Sequence, residues 1–119
     1  MKKTLVLGAS INVERYSYLA IQSLLRDGNQ VVAIGARDGK IMGVDILTEK
    51  INFIDIHTVT LYLNPKRQEM YYNYIIALQP KRVIFNPGAE NPEFYKLLEQ
   101  HHIYFEEACT LVLLSTNQY

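Results

Sequence analysis

The chain has 119 residues, 49% of them hydrophobic, which is enough for one domain built around one core. Its 12 lysines and arginines equal its 12 aspartates and glutamates, and no block of one sign appears, so nucleic acid and acidic membrane surfaces are not expected partners. No apolar stretch approaches the roughly 20 residues that cross a bilayer. The run behind Lys2 and Lys3 is too short for a signal peptide. The single cysteine, Cys109, forms neither an internal disulfide nor a zinc site alone. The expectation is a soluble, cytoplasmic, single domain over residues 1–119.

Thr4–Leu7 is the first predicted strand, followed by the small-residue turn Gly8-Ala9-Ser10. Tyr16, Leu19, Ala20, Ser23 and Leu24 then recur at helical spacing, and Gly28 is placed to end that helix. Gln30–Ile34 is the second strand. The stretch Asp38–Asn52 is the least regular and reads as a turn or a short helix. Val59–Leu63 is the third strand, and Met70, Tyr71, Tyr74, Ile75 and Leu78 form a second helical face that stops before Pro80. Arg82–Phe85 is the fourth strand. A third helix follows, with Asn91 as N-cap, Pro92 at its first position, and Phe94, Tyr95, Leu97 and Leu98 as apolar residues. Tyr104–Phe105 and Leu111–Leu114 complete the predicted strands. Nine tyrosines and no tryptophan fit ordinary helix packing, although tyrosine-rich exposed faces would also suit a homodimer.

Short, continuously apolar strands alternating with helices predict an α/β fold: a Rossmann-like, three-layer α/β/α arrangement with a mostly parallel sheet of about five strands. Ligands of such sheets bind beyond the carboxyl ends of the strands. The candidate site residues are therefore those in the turns that follow them. Gly8, Ala9 and Ser10, with Asn12, bring backbone amides and a hydroxyl to the positive end of a helix dipole, where a phosphate can sit. Arg15, at the helix start with Tyr16 and Ser17, would supply a guanidinium to that anion. The dinucleotide fingerprint requires two further glycines, and Ser10 and Val13 stand there instead. Gly35, Ala36 and Arg37 follow the second strand, where an arginine favours a ligand with an additional phosphate. Asn64 and Pro65 follow the third, and Asn86, Pro87, Gly88 and Asn91 the fourth, with Gly88 suited to a left-handed turn.

Gly8-Ala9-Ser10, then Arg15-Tyr16-Ser17, Ile41-Met42-Gly43, Asn86-Pro87-Gly88-Ala89-Glu90-Asn91 and finally Cys109 together resemble the small stand-alone bacterial CoA-binding proteins. The domain of those proteins is similar to the CoA-binding domain of succinyl-CoA synthetase alpha subunits and ADP-forming acyl-CoA synthetases. The resemblance covers nearly the whole chain. It implies a ligand that is CoA or an acyl-CoA, with pyrophosphate over Gly8–Ser10 and the Asn86–Asn91 loop along the cofactor. The sequence departs from the family pattern at Gly35-Ala36, where Asn-Pro is usual, and at Leu63, where an arginine often stands. The pair Lys66-Arg67 lies downstream of that position.

No catalytic constellation is present. The chain has no Ser–His–Asp order, no paired carboxylates and no lysine placed for Schiff-base chemistry. His57, His101 and His102 lack metal-ligand spacing. Cys109 reads as an inert hydrophobe, with a mixed disulfide to the CoA thiol as the alternative. The synthetases use further domains that carry a phosphorylated histidine, and nothing here resembles those. The expectation is binding without catalysis. Two rivals stay open: an NAD(P)-binding regulator or small oxidoreductase, for which Arg37 keeps NADP in play, and an interaction module that has lost its ligand.

Overall fold

The computed structural model describes residues 2–119. Thr4–Leu7 (β1) is buried along its whole length and forms the centre of a seven-stranded sheet. The chain continues through α1 (Tyr16–Arg26), β2 (Val31–Ile34), β3 (Gly39–Ile41), β4 (Val44–Leu47) and β5 (Thr58–Leu61). Next come α2 (Pro65–Gln68), a 3-10 turn (Glu69–Tyr71), α3 (Tyr72–Leu78), β6 (Arg82–Phe85), α4 (Pro92–Gln100), β7 (Phe105–Glu107) and α5 (Thr110–Ser115). The strand order is β3-β4-β2-β1-β5-β6-β7. All pairings are parallel except β3 with β4. Strand order therefore reverses at β1, which pairs with β2 on one side and β5 on the other.

Alternation along the strands divides the core in two. Leu5, Leu7, Val59, Leu61, Val83 and Phe85 pack on one face against Tyr74 and Ile75 of α3 and Phe94 and Leu98 of α4. Val6, Ala33 and Ile46 pack on the other against Ile21 and Leu24 of α1 and Leu114 of α5. Phe85 meets the rings of Phe94 and Tyr95 edge-on, with centroids 5.9 Å and 4.6 Å apart. Asn91 caps α4 as expected: its side chain accepts from the Phe94 amide, and Pro92 holds the first helical position.

Several expectations need correction. The sheet has seven strands rather than about five, because the irregular stretch Asp38–Asn52 contains the hairpin β3–β4. Met42 and Gly43 at its tip both have positive φ, 48° and 85°, which gives a two-residue turn matched to strand twist; a methionine there hides the signal. Leu111–Leu114 is not a strand but most of α5. A four-residue apolar run has no period to separate the two states. Here Leu114 is buried against α1's layer while Val112 is 56% exposed, which is a helical face. On α1 the buried residues are Ser17, Ala20, Ile21 and Leu24, so the inner face is turned away from Tyr16, which is 68% exposed, and from Leu19. Met70 likewise points out from the 3-10 turn.

The turns after β1 and β2 are locked together. The amides of Gly8 and Ala9 both donate to the Ile34 carbonyl, at 2.9 Å and 3.0 Å. Gly35 lies so close beneath the first turn that an added Cβ would stand 2.2 Å from the Ala9 carbonyl oxygen. Gly35→Ala is expected to lower the unfolding free energy by about 2 kcal/mol or more, since neither backbone can yield cheaply. Urea titration reads this directly, and an unchanged midpoint would show that the two turns part freely.

Candidate functional site

Six strands run the same way, so the turns after β1, β2, β5, β6 and β7 collect on one edge of the sheet. All the candidate residues from Gly8 to Asn91 lie on or next to this edge. The hairpin tip Met42-Gly43 lies on the opposite edge, because β3 runs against its neighbours. The three histidines also lie opposite: His57 immediately precedes β5, and His101 and His102 follow α4 ahead of β7.

The first turn feeds α1 with an unprotected start. Arg15 is the N-cap residue and makes no side-chain capping bond, and the first turn holds no acidic residue. A helix start leaves amides without intrahelical partners, and this one is open to an external acceptor. The Gly8 and Ala9 amides point to Ile34 instead, so the available donors begin at Ser10. The Ser10 hydroxyl accepts from the Asn12 amide at 3.1 Å and keeps its own proton to donate. Asn12 is occupied locally, with its side chain accepting from the Glu14 amide and its carbonyl accepting from the Arg15 amide. Tyr16 faces out, and Ser17 is buried under the helix. Arg15 and Arg37 are exposed and join neither of the two ion pairs found among the described residues, Lys40–Asp45 and Arg82–Glu106. Ala36 is exposed beside Arg37, and Gly35 is buried beneath the first turn.

The asparagines of the later turns act as fasteners. Asn86 is 2% exposed and fully engaged: its amide nitrogen donates to Thr60 Oγ1 (2.7 Å) and the Leu61 carbonyl (2.9 Å), and its oxygen accepts from the Thr110 amide (2.9 Å). One side chain thus ties the end of β5 to the start of α5. Asn64 caps α2 by accepting from the Arg67 amide, with Pro65 beginning the helix. Asn91 caps α4 and donates to Gln68 Oε1 (2.9 Å) and the Tyr72 hydroxyl (2.8 Å). Pro87 and Gly88 stay exposed between these anchors, with Gly88 at φ 96°. The Gly88 amide donates to the Glu90 carboxylate at 2.8 Å, so Glu90 folds back into its own loop and does not cap α4.

Gln68, Thr60, Thr110 and Tyr72 join the site without having been read from the sequence. Gln68 has no exposure, and its amide nitrogen donates to the carbonyls of Leu63 (2.8 Å) and Ala89 (2.7 Å). Its one sequence signal is a spacing of four from the Asn64 cap, which returns it to the cap's side of the helix. Burial is the main cause that raises the Tyr72 phenol, with the Asn91 hydrogen bond opposing it. The hydroxyl therefore stays protonated at neutral pH and donates to Glu93 while it accepts from Asn91. Burial pushes the Tyr62 phenol up to about 12, and its hydroxyl is buried without a hydrogen-bond partner among the described residues. Cys109 is half-buried at the start of α5 on the same edge.

Two hollows lie away from this edge. One of about 310 Å³ is framed by Ile76, Gln79, Pro80, His101, His102 and Ile103 at the opposite edge. The other, about 270 Å³, runs along β2 and β4 beside Phe53. Among the described residues no group of histidine, cysteine and acidic side chains is arranged to hold a metal. No helix among them is long and apolar enough to cross a membrane.

Comparison with solved structures gives a crystal structure of an uncharacterized protein, 44% identical, with a TM-score of 0.97, covering 100% of this chain and 98% of its own. A hypothetical protein from Pyrococcus horikoshii OT3 matches with a TM-score of 0.87 at 23% identity, over 97% of this chain and 82% of its own. Cell-free ID.343 from Thermus thermophilus matches with a TM-score of 0.86 at 20% identity, over 99% and 90%. No curated protein sequence matches. The sequence model of the CoA binding domain matches residues 2–115, which spans the turns after β1, β2, β5 and β6 and the start of α5. The chain belongs to the CoA-binding domain family.

Proposed function

We propose that this single Rossmann-like domain binds CoA or an acyl-CoA along the carboxyl edge of its parallel strands and carries out no chemistry of its own. The observation that carries the reading is the uncapped start of α1 beside the turn after β1, in a chain of the CoA-binding family. The pyrophosphate would take the amides left free by the loop, those of Ser10, Ile11 and Val13 and of Tyr16 and Ser17 at the start of α1, with the Ser10 hydroxyl, and Arg15 as counter-charge. Gly8 and Ala9 would shape that seat from below, because their amides serve Ile34. Arg37 is available for the 3′-phosphate. The ligand would then pass the turns at Asn64-Pro65 and Asn86–Asn91. The absence of catalysis is supported by the three histidines lying on the far edge and by the full engagement of Asn86 and Asn91 within the protein.

Arg37 also favours a second reading, NADP, which carries an extra phosphate of its own. Calorimetry against CoA, acetyl-CoA, NAD and NADP separates the two. Micromolar CoA binding is expected, weakened about tenfold or more by Arg15→Ala, the loss typical of a charge-assisted contact. Tighter binding of NADP than CoA, or no heat with any of the four, overturns the reading.

Glu90 supplies a further test. Its carboxylate occupies the Gly88 amide and adds a negative charge to a loop assigned to an anionic ligand. Glu90→Gln is expected to tighten CoA binding about threefold by removing that like charge. Equal affinity in the same titration would place the Glu90 charge outside the ligand's reach.

A further inference from the structure

The strand ladder between β5 and β6 ends at the pair Leu61–Phe85. Beyond it the two chains enter turns of different shape, one into α2 and the other around Gly88. No backbone–backbone hydrogen bond joins residues 62–68 to residues 86–91 among the described residues. The turns are nevertheless held to each other through the buried carboxamide of Gln68. Its two N–H groups meet the Leu63 carbonyl, just ahead of Asn64, and the Ala89 carbonyl, just after Gly88, while its oxygen receives Asn91. A carboxamide has two donors and an acceptor on one planar group, and all of them are used here. Gln68 has no exposure, and Ala89 and Asn91 are buried with it, so removing the amide leaves those two partners without access to water.

We infer that Gln68 is a positioning residue: it fixes the distance between the turns after β5 and β6 and thereby sets the affinity for the ligand that lies along them. The inference rests on the CoA reading of that edge. Gln68 itself touches no ligand; it keeps two ligand-facing turns in one preorganised arrangement, so that binding does not have to order them.

The test begins without ligand. In Gln68→Leu, hydrogen exchange of the amides in residues 64–68 and 86–91 is expected to quicken in both turns together; a change in one turn alone overturns the inference. Gln68→Glu has the same size, removes both donors and keeps the acceptor for Asn91, so it serves the same comparison if the leucine variant does not fold. In the wild-type chain, exchange in the two turns is expected to rise together as urea is added below the unfolding transition, and independent opening also overturns the inference. Calorimetry with CoA then reads affinity. Gln68→Leu is expected to raise Kd about tenfold, the effect of losing preorganisation worth an ordinary hydrogen bond. Val31→Ala, which trims the core at the opposite end of β2, serves as a destabilised control that leaves Kd nearly unchanged. Equal loss of affinity in both variants reduces Gln68 to a structural role. Failure of the wild-type chain to bind CoA overturns the ligand reading alone, because the exchange measurement still decides whether Gln68 couples the turns.

Discussion

A parallel sheet satisfies its backbone only while the strands run side by side, and the loops that leave it must find other partners for their polar groups. Three buried side-chain amides meet that demand here. Asn86 continues the contact between β5 and β6 for one step beyond the ladder and adds the start of α5. Gln68 continues it further, and Asn91 closes the series at the cap of α4. Each of these groups uses donors and acceptor at once, so each holds segments that have no other reason to stay together. The open parts of the loops are suspended between these fasteners.

This division of labour changes the meaning of the asparagines in the later turns. Polar residues after a strand invite assignment to a ligand, yet the side chains of Asn86 and Asn91 are directed into the protein and that of Asn64 caps α2 at the surface. What remains accessible on the edge includes two kinds of group: backbone amides at the start of α1, and the exposed guanidinium groups of Arg15 and Arg37. Both suit a polyanion, and neither depends on the identity of an asparagine. The charged and histidine-bearing features of the far edge, including the Arg82–Glu106 pair, belong to the opposite end of the strands.

Much of the fold was legible because four strands are short, mostly apolar runs buried on both faces. β1, β2, β5, β6 and the cap of α4 stand within a residue or two of where the sequence places them. The hairpin β3–β4 was hidden because Met42 adopts positive φ where glycine or asparagine would have announced a turn. Leu111–Leu114 reads as a strand because a four-residue apolar run has no period, and the carboxamide that receives the first amide of α5, Asn86, lies far off in sequence. At the site, the loops could be located from strand ends alone. The direction of each side chain could not, because whether Asn86 or Gln68 points inward is decided by carbonyls distant in sequence.

The carbonyl of Ile34 receives two amides from the turn after β1, and Gly35, the next residue, supports that turn from below. The second strand therefore acts as a template that sets the height of the first turn above the sheet. A chain carrying a longer side chain after its second strand must lift that turn, and with it the start of the following helix. The residue at this one position is thus a gauge: from it, the height of the start of α1 above the sheet can be compared between related chains.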